Sequence, residues 1–179
     1  MTRMPMPLYV AVCGAGEASA EVAAHAEEVG RLLAQAGTVV VCGGLGGVME
    51  AAARGASEAG GTSIGILPGM SRDAANPFLT LSIPTGMGEM RNTMIVRCAD
   101  ALIAVGGEFG TLSEVAFALK TGVPVVGLGT WELVKGGRAI DAFPQVANAE
   151  EILDLRAGCP RLLHHLQRLP VGAVCISGG

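Results

Sequence analysis

The sequence predicts an α/β domain built on a doubly wound, mainly parallel, Rossmann-like sheet, and three observations predict it. Short apolar runs such as LYVAVCG, TVVVC and ALIAV show no polar alternation, which is the pattern of strands covered on both faces. Segments with helical spacing alternate with those runs along the chain. Glycine clusters close the runs, where the chain turns over from strand to helix.

Taken in order, LYVAVCGAG is a short buried strand with a glycine stop, and residues 19–36 follow with helical spacing and charges at Glu21, Glu27, Glu28 and Arg31. TVVVCGGLGG and VMEAAARGASEAG repeat that β-α unit, TSIGILPG supplies a third strand and LTLSIPTG a fourth. EMRNTMIVRCAD is a helix leading to the strand ALIAVGG, and GTLSEVAFALKTG is a helix leading to the strand VPVVGLGT. From Trp131 onward the pattern weakens, with a helix over residues 149–155 or beyond and a final apolar piece, VGAVCIS, readable as strand or tail. The chain reads as one domain over residues 1–179, with a core over about residues 8–130 and a C-terminal segment over about residues 131–179.

Composition narrows the function. Half of the residues are hydrophobic, so a sizeable core is within reach, but aromatic residues make up only 3%, which leaves few rings for stacking single-stranded bases. A formal net charge of −4 with no Lys/Arg-rich run argues against nucleic acid, and no apolar stretch reaches the length of a membrane span. Cys13, Cys42, Cys98, Cys159 and Cys175 form no CxxC pair and no Cys/His cluster with zinc spacing, so reduced thiols are expected and no metal. Cys13 and Cys42 end strands and read as small buried hydrophobes. The start, MTRMPMPLYV, fits neither a secretory signal nor a transit peptide, and a cytoplasmic protein is expected.

Four enzyme classes drop out. GAGEAS falls one residue short of G-x-G-x-x-G, and the second strand ends in VVVCGG without the ribose-binding acid expected about 20 residues on, so no dinucleotide cofactor is expected. No glycine loop ends in GK[ST], and there is no G-x-S-x-G elbow. His25, His164 and His165 lie outside the glycine motifs and read as exposed helix positions. The only lysines are Lys120 and Lys135, and nothing marks a pyridoxal phosphate site.

What remains is a set of glycine turns at strand carboxyl ends: Gly14 and Gly16, then Gly43, Gly44, Gly46 and Gly47, then Gly106, Gly107 and Gly110. In a doubly wound sheet such turns converge on the crevice at the switch in strand order. Their amides, at helix N-termini, suit a small phosphorylated ligand. The stretch GGEFGTLSE adds Glu108, Thr111 and Glu114 to that crevice.

The segments VVVCGGLGGVMEAAARGA and GEMRNTMIVRCADALIAVGGEFGTLSEVAFALKTGVPVV together resemble the Lonely Guy (LOG) family of lysine decarboxylase-like proteins. Its members carry a glycine-rich turn ending in G-[LV]-M, an arginine opening a helix, and P-G-G-x-G-T-x-x-E. The resemblance implies a homodimeric Rossmann-like protein. It implies cleavage of the N-glycosidic bond of a cytokinin or purine riboside 5′-monophosphate, or, as in the related short molybdenum cofactor carrier branch, binding of a phosphorylated pterin without turnover. It places the family's arginine on Arg91, its glycine and threonine on Gly110 and Thr111, and its glutamate on Glu114. This chain departs at Gly106-Gly107-Glu108, where a carboxylate replaces the last glycine of the phosphate loop. It departs again at Arg91-Asn92, where the family has Arg-Lys, and at Cys42-Gly43-Gly44, where it has three glycines.

The residue chemistry is compatible with the first activity. Departure of a base builds positive charge on ribose, which a carboxylate at Glu114 stabilises or meets by activating a water. Arg91 supplies a forked cation for a phosphate or a neighbouring carboxylate, and Thr111 with the amides of Gly107 and Gly110 suits a 5′-phosphate. Thr111-x-x-Glu114 is equally a capping box, a threonine N-cap with a glutamate bonding back from the third helical residue. Arg91 alone also has a reading as a solvated helix end and Glu108 one as an exposed loop acid, and Met49 and Met90 read as core or interface rather than ligand contacts. The helix over residues 111–120 is apolar nearly all round, which suits burial against the sheet on one side and a second subunit on the other. The first reading that the resemblance implies is a homodimeric LOG-like protein that binds a nucleoside 5′-monophosphate or similar phosphorylated compound, with phosphoribohydrolase cleavage of its N-glycosidic bond as the candidate reaction, and the alternative is a non-catalytic carrier or sensor of a phosphorylated pterin or nucleotide.

Overall fold

The strands run in the order β4-β3-β2-β1-β5-β6-β9, and every neighbouring pair is parallel. They are β1 (Tyr9–Gly14), β2 (Val39–Cys42), β3 (Thr62–Leu67), β4 (Leu81–Pro84), β5 (Ala101–Val105), β6 (Val125–Leu128) and β9 (Gln145–Val146). These elements come from a computed structural model that describes residues 6–154. The chain lays down β1 to β4 outward on one side, then returns to place β5 on the other side of β1. Strand order therefore reverses between β1 and β5, and the crevice above that pair is where such folds bind ligands.

Period-two alternation splits the core into two layers. Val10, Val12, Val40, Ile103 and Val126 face α1 (Ala20–Gln35), α2 (Val48–Glu58) and α5 (Ala149–Asp154). Ala11, Cys13, Val41, Leu102, Ala104 and Val125 face α3 (Asn92–Cys98) and α4 (Phe109–Thr121). All five residues of β5 are buried, as the unbroken apolar run requires. Ser19 caps α1 through its hydroxyl, which accepts from the Val22 amide at 3.3 Å. Two glycines set the distance between α1 and α2: a Cβ on Gly30 would fall 2.0 Å from the Ala52 carbonyl oxygen, and one on Gly55 would fall 1.9 Å from that of Glu27.

Several expectations are corrected here. The segment EMRNTMIVRCAD is not one helix: a 3₁₀ turn, Gly88–Arg91, precedes α3. Beyond Trp131 the chain forms a two-stranded antiparallel hairpin, β7 (Leu133–Lys135) and β8 (Arg138–Ile140), before β9 and α5. Its two-residue link, Gly136-Gly137, is a standard hairpin signal that three-residue, largely exposed strands left without hydrophobic support. His25 is half-buried rather than exposed, and Met90 is 72% exposed, so it belongs to no core. VGAVCIS, His164, His165, Cys159 and Cys175 lie outside the described residues.

Candidate functional site

Above the β1/β5 junction lies a cleft of about 300 Å³ lined by Cys13, Gly14, Ala15, Gly16, Gly43, Leu45, Met49, Glu89, Arg91, Asn92, Glu108, Gly110, Thr111 and Glu114. Of the glycine turns and site residues singled out in the sequence, Gly14, Gly16, Gly43, Arg91, Glu108, Gly110, Thr111 and Glu114 meet there. Gly44, Gly46, Gly47, Gly106 and Gly107 are not among the lining residues, and all of them but Gly46 turn the chain at positive φ. Ala15, Leu45 and Glu89 join the lining without having been singled out, and so do Cys13, read as a buried hydrophobe, Met49, read as core or interface, and Asn92, read as a departure from the family's lysine. Their only signals were position: Asn92 follows Arg91, and Cys13 is the last inward residue of β1 on the α4 side.

Arg91 ends the 3₁₀ turn and is 5% exposed, so the solvated helix end is excluded. Its guanidinium lies directly over the second glycine turn: a Cβ on Gly43 would fall 2.7 Å from Arg91 Nη2 and 2.6 Å from Met49 Sδ. One Nη1 hydrogen goes to Asn92 Oδ1, and Nη1 stands 4.0 Å from Glu114 Oε1, too far for a hydrogen bond. The Arg91 Nε has no partner among the described residues although it is sealed from solvent. A buried guanidinium matched only by a distant carboxylate is costly unless another anion completes its shell. Asn92 ties the pair down by donating through Nδ2 to Ser113 Oγ at 3.2 Å, which links α3 to α4.

Glu114 is 6% exposed, and its carboxyl meets the Cys13 thiol. Burial pushes its carboxyl up to about 7, outweighing the Cys13 thiol and the Arg91 cation, which both pull it down, while Glu89 adds to the rise. The carboxyl thus titrates near neutral pH, where an acid–base group is most useful. Burial raises Cys13 well above the ordinary thiol range and Cys42 to about 11, so both thiols stay protonated.

The capping-box reading fails. Helix α4 begins at Phe109 with Glu108 as N-cap in extended backbone, and Thr111 is a buried residue of the first turn. The helix starts two residues earlier than the Thr-x-x-Glu spacing suggested, because its first hydrogen bond already runs from the Leu112 amide to the Glu108 carbonyl, at 2.9 Å. No side chain caps α4, so the amides of Phe109, Gly110 and Thr111 are left as open donors at the positive end of a 13-residue helix. Two bonds hold the loop before it: Thr130 Oγ1 donates to the Gly106 carbonyl, and Trp131 Nε1 donates to the Glu108 carbonyl at 3.3 Å. Glu108 is both exposed and part of the lining, so its two sequence readings are compatible.

A doubly wound sheet with an uncapped helix start and a buried Arg–Glu pair at its switch point defines an α/β protein of the nucleotide-binding kind. More narrowly, the chain belongs to the SLOG cluster4 family, whose model matches residues 7–153. An uncharacterized protein of Archaeoglobus fulgidus is 44% identical over 141 residues, covering 79% of this chain and 93% of that protein. Among solved structures, the molybdenum cofactor binding protein of Rippkaea orientalis is 34% identical with a TM-score of 0.76, over 84% of this chain and 95% of that one. The Moco carrier protein of Chlamydomonas reinhardtii is 31% identical with a TM-score of 0.74, over 89% of this chain and 99% of that one. The resemblance drawn from the motifs, to the LOG family close to molybdenum cofactor carriers, agrees with these likenesses. Among the described residues no helix is long and apolar enough to cross a membrane.

Proposed function

We propose that the cleft binds a phosphorylated heterocycle of the pterin or nucleotide class and releases it intact, as a carrier or sensor in the cytoplasm. The observation that carries this reading is the uncapped start of α4 opening beside a buried, incompletely paired Arg91. The phosphate lies against the amides of Phe109 to Thr111, and Arg91 meets an anionic or carbonyl group of the ligand. Glu89 and Glu108 make the rest of the lining acidic, which suits a modest, reversible hold rather than the tight grip of a cationic phosphate site. The likeness to molybdenum cofactor carriers over nearly their whole length supports the pterin side of the class. No metal or further cofactor is part of this reading.

A second reading is cleavage of the N-glycosidic bond of a nucleoside 5′-monophosphate, favoured by a Glu114 carboxyl that titrates at about 7 next to Arg91. Ionised Glu114 would then stabilise the positive sugar in the transition state or take a proton from the attacking water, and Arg91 would hold the substrate. Incubation with a panel of nucleoside 5′-monophosphates, followed by chromatography for free base and ribose 5-phosphate, separates the two. A carrier returns the nucleotide intact. A hydrolase releases both products and loses a hundredfold or more on Glu114→Gln.

The protein also assembles, in this proposal, as a homodimer through α4, where Leu112, Phe117 and Leu119 are only half-buried, although Phe117 and Leu119 also pack on the core.

A further inference from the structure

The aromatic residues are few, yet two of them stand together at the rim of the cleft. Phe109 is the first residue of α4, between the lining residues Glu108 and Gly110, and it is 78% exposed. Its ring meets that of Trp131, the chain's single tryptophan, with centroids 5.6 Å apart and planes at 39°. Trp131 is fixed on both ends: its indole N–H donates to the Glu108 carbonyl at 3.3 Å, and its own carbonyl accepts from Gln145 Nε2 at 3.1 Å. The pair is therefore anchored to the same loop whose following amides open into the cleft. A phenylalanine at that exposure adds little to the core, and a bulky ring is not a preferred first-turn residue of a helix. It is also no isolated surface ring, because it leans on a hydrogen-bonded neighbour that holds it at the rim.

We infer that Phe109, steadied by Trp131, is a stacking platform for the planar ring of the ligand, placed next to the amides that hold its phosphate. The inference rests on the proposed ligand class and adds the residue that selects for a flat aromatic ring within it. Flat heterocycles stack on aromatic faces whatever their edge pattern, so the platform selects ring-bearing over ring-less phosphates rather than one base over another. Recognition is thereby divided: amides and Arg91 for anionic groups, the rim for the ring.

The test uses guanosine 5′-monophosphate, which has the amino-oxo-pyrimidine edge of a pterin, and ribose 5-phosphate, which has the phosphate and no ring, each titrated calorimetrically into the full chain. Phe109→Ala should weaken the nucleotide roughly tenfold or more, the range of one base–aromatic stack, and leave ribose 5-phosphate unchanged. Phe109→Tyr should keep the wild-type preference, and Phe109→Leu, with comparable apolar size and no aromatic face, should lose it. Nucleotide binding should also change the fluorescence of Trp131, and ribose 5-phosphate should not. Equal weakening of both ligands by Phe109→Ala, or full affinity in Phe109→Leu, overturns the platform alone. A wild-type chain that binds neither probe overturns the ligand class and the platform together.

Discussion

At the scale of single residues, the site turns on one buried pair whose members do not satisfy each other. Glu114 carries its proton to about 7, against an ordinary carboxyl value of 4.5, because burial outweighs Arg91 at 4.0 Å. A carboxyl raised on folding favours the native state below the unfolded value, and that contribution fades as pH rises through the folded value. Stability should therefore fall between about pH 4.5 and pH 7 by an amount on the order of a few kcal/mol and then level off. Melting curves across that window should show this slope in the wild type and a flatter one in Glu114→Gln. Gly43→Ala offers a second check. The added Cβ meets the ends of two flexible side chains, Met49 and Arg91, so the fold should lose no more than about 1 kcal/mol while Arg91 is pushed off its seat. Nucleotide affinity should then fall toward that of Arg91→Ala, as read by calorimetry. Glu108→Gln should act the opposite way, tightening phosphorylated ligands by about two- to fivefold, the effect of removing one exposed like charge. These roles were only half legible in the sequence. The identity of Arg91 and Glu114 as a pair came from the motif, but the burial that makes them chemically unusual depends on α3 and α4 closing over the same sheet face.

At the scale of elements, helix ends and helix contacts decide how the site is held. The Thr-x-x-Glu spacing named a plausible cap, yet the backbone begins α4 at Phe109, leaving Thr111 buried and the first-turn amides open. A spacing rule sees which side chains could reach back, and it cannot see that the sheet already fixes where the loop ends. Phosphate titrated into the labelled protein should shift the amide resonances of Gly110 and Thr111 before others. Helices α1 and α2 form the support beneath the other face. Gly30→Ala would press a methyl group against the Ala52 carbonyl oxygen at 2.0 Å, backbone that cannot give way cheaply. Denaturant unfolding should show a loss of about 2 kcal/mol or more, in the range of core overpacking. Strand positions were legible because continuous apolar runs have one explanation in a covered sheet. The β7–β8 hairpin was missed because its short strands are mostly exposed and carry no such pattern, leaving Gly136-Gly137 as the only sign.

At the scale of the whole molecule, the order of strands brings three glycine turns, one arginine and three glutamates over the β1/β5 junction, and the convergence expected of a doubly wound sheet is what the cleft lining records. The glycines were readable as turns, but which of them face the cleft was not, since Gly44, Gly47 and Gly106 differ from Gly43 and Gly110 in backbone conformation, turning at positive φ, and the sequence writes both kinds as the same residue. The proposed dimer belongs to this scale as well: light scattering at micromolar concentration should give twice the chain mass, and a monomer would remove the assignment of α4 to a subunit contact. In the proposed function, the open start of α4 and Arg91 together hold a phosphorylated heterocycle. The most direct measurement is a crystal structure of the protein soaked with guanosine 5′-monophosphate. The phosphate, either on the nucleotide or on a ribose fragment left by cleavage, should lie within hydrogen-bond distance of the Gly110 and Thr111 amides, with the remainder of the ligand reaching Arg91. A phosphate bound away from these amides, with Arg91 untouched, would contradict it.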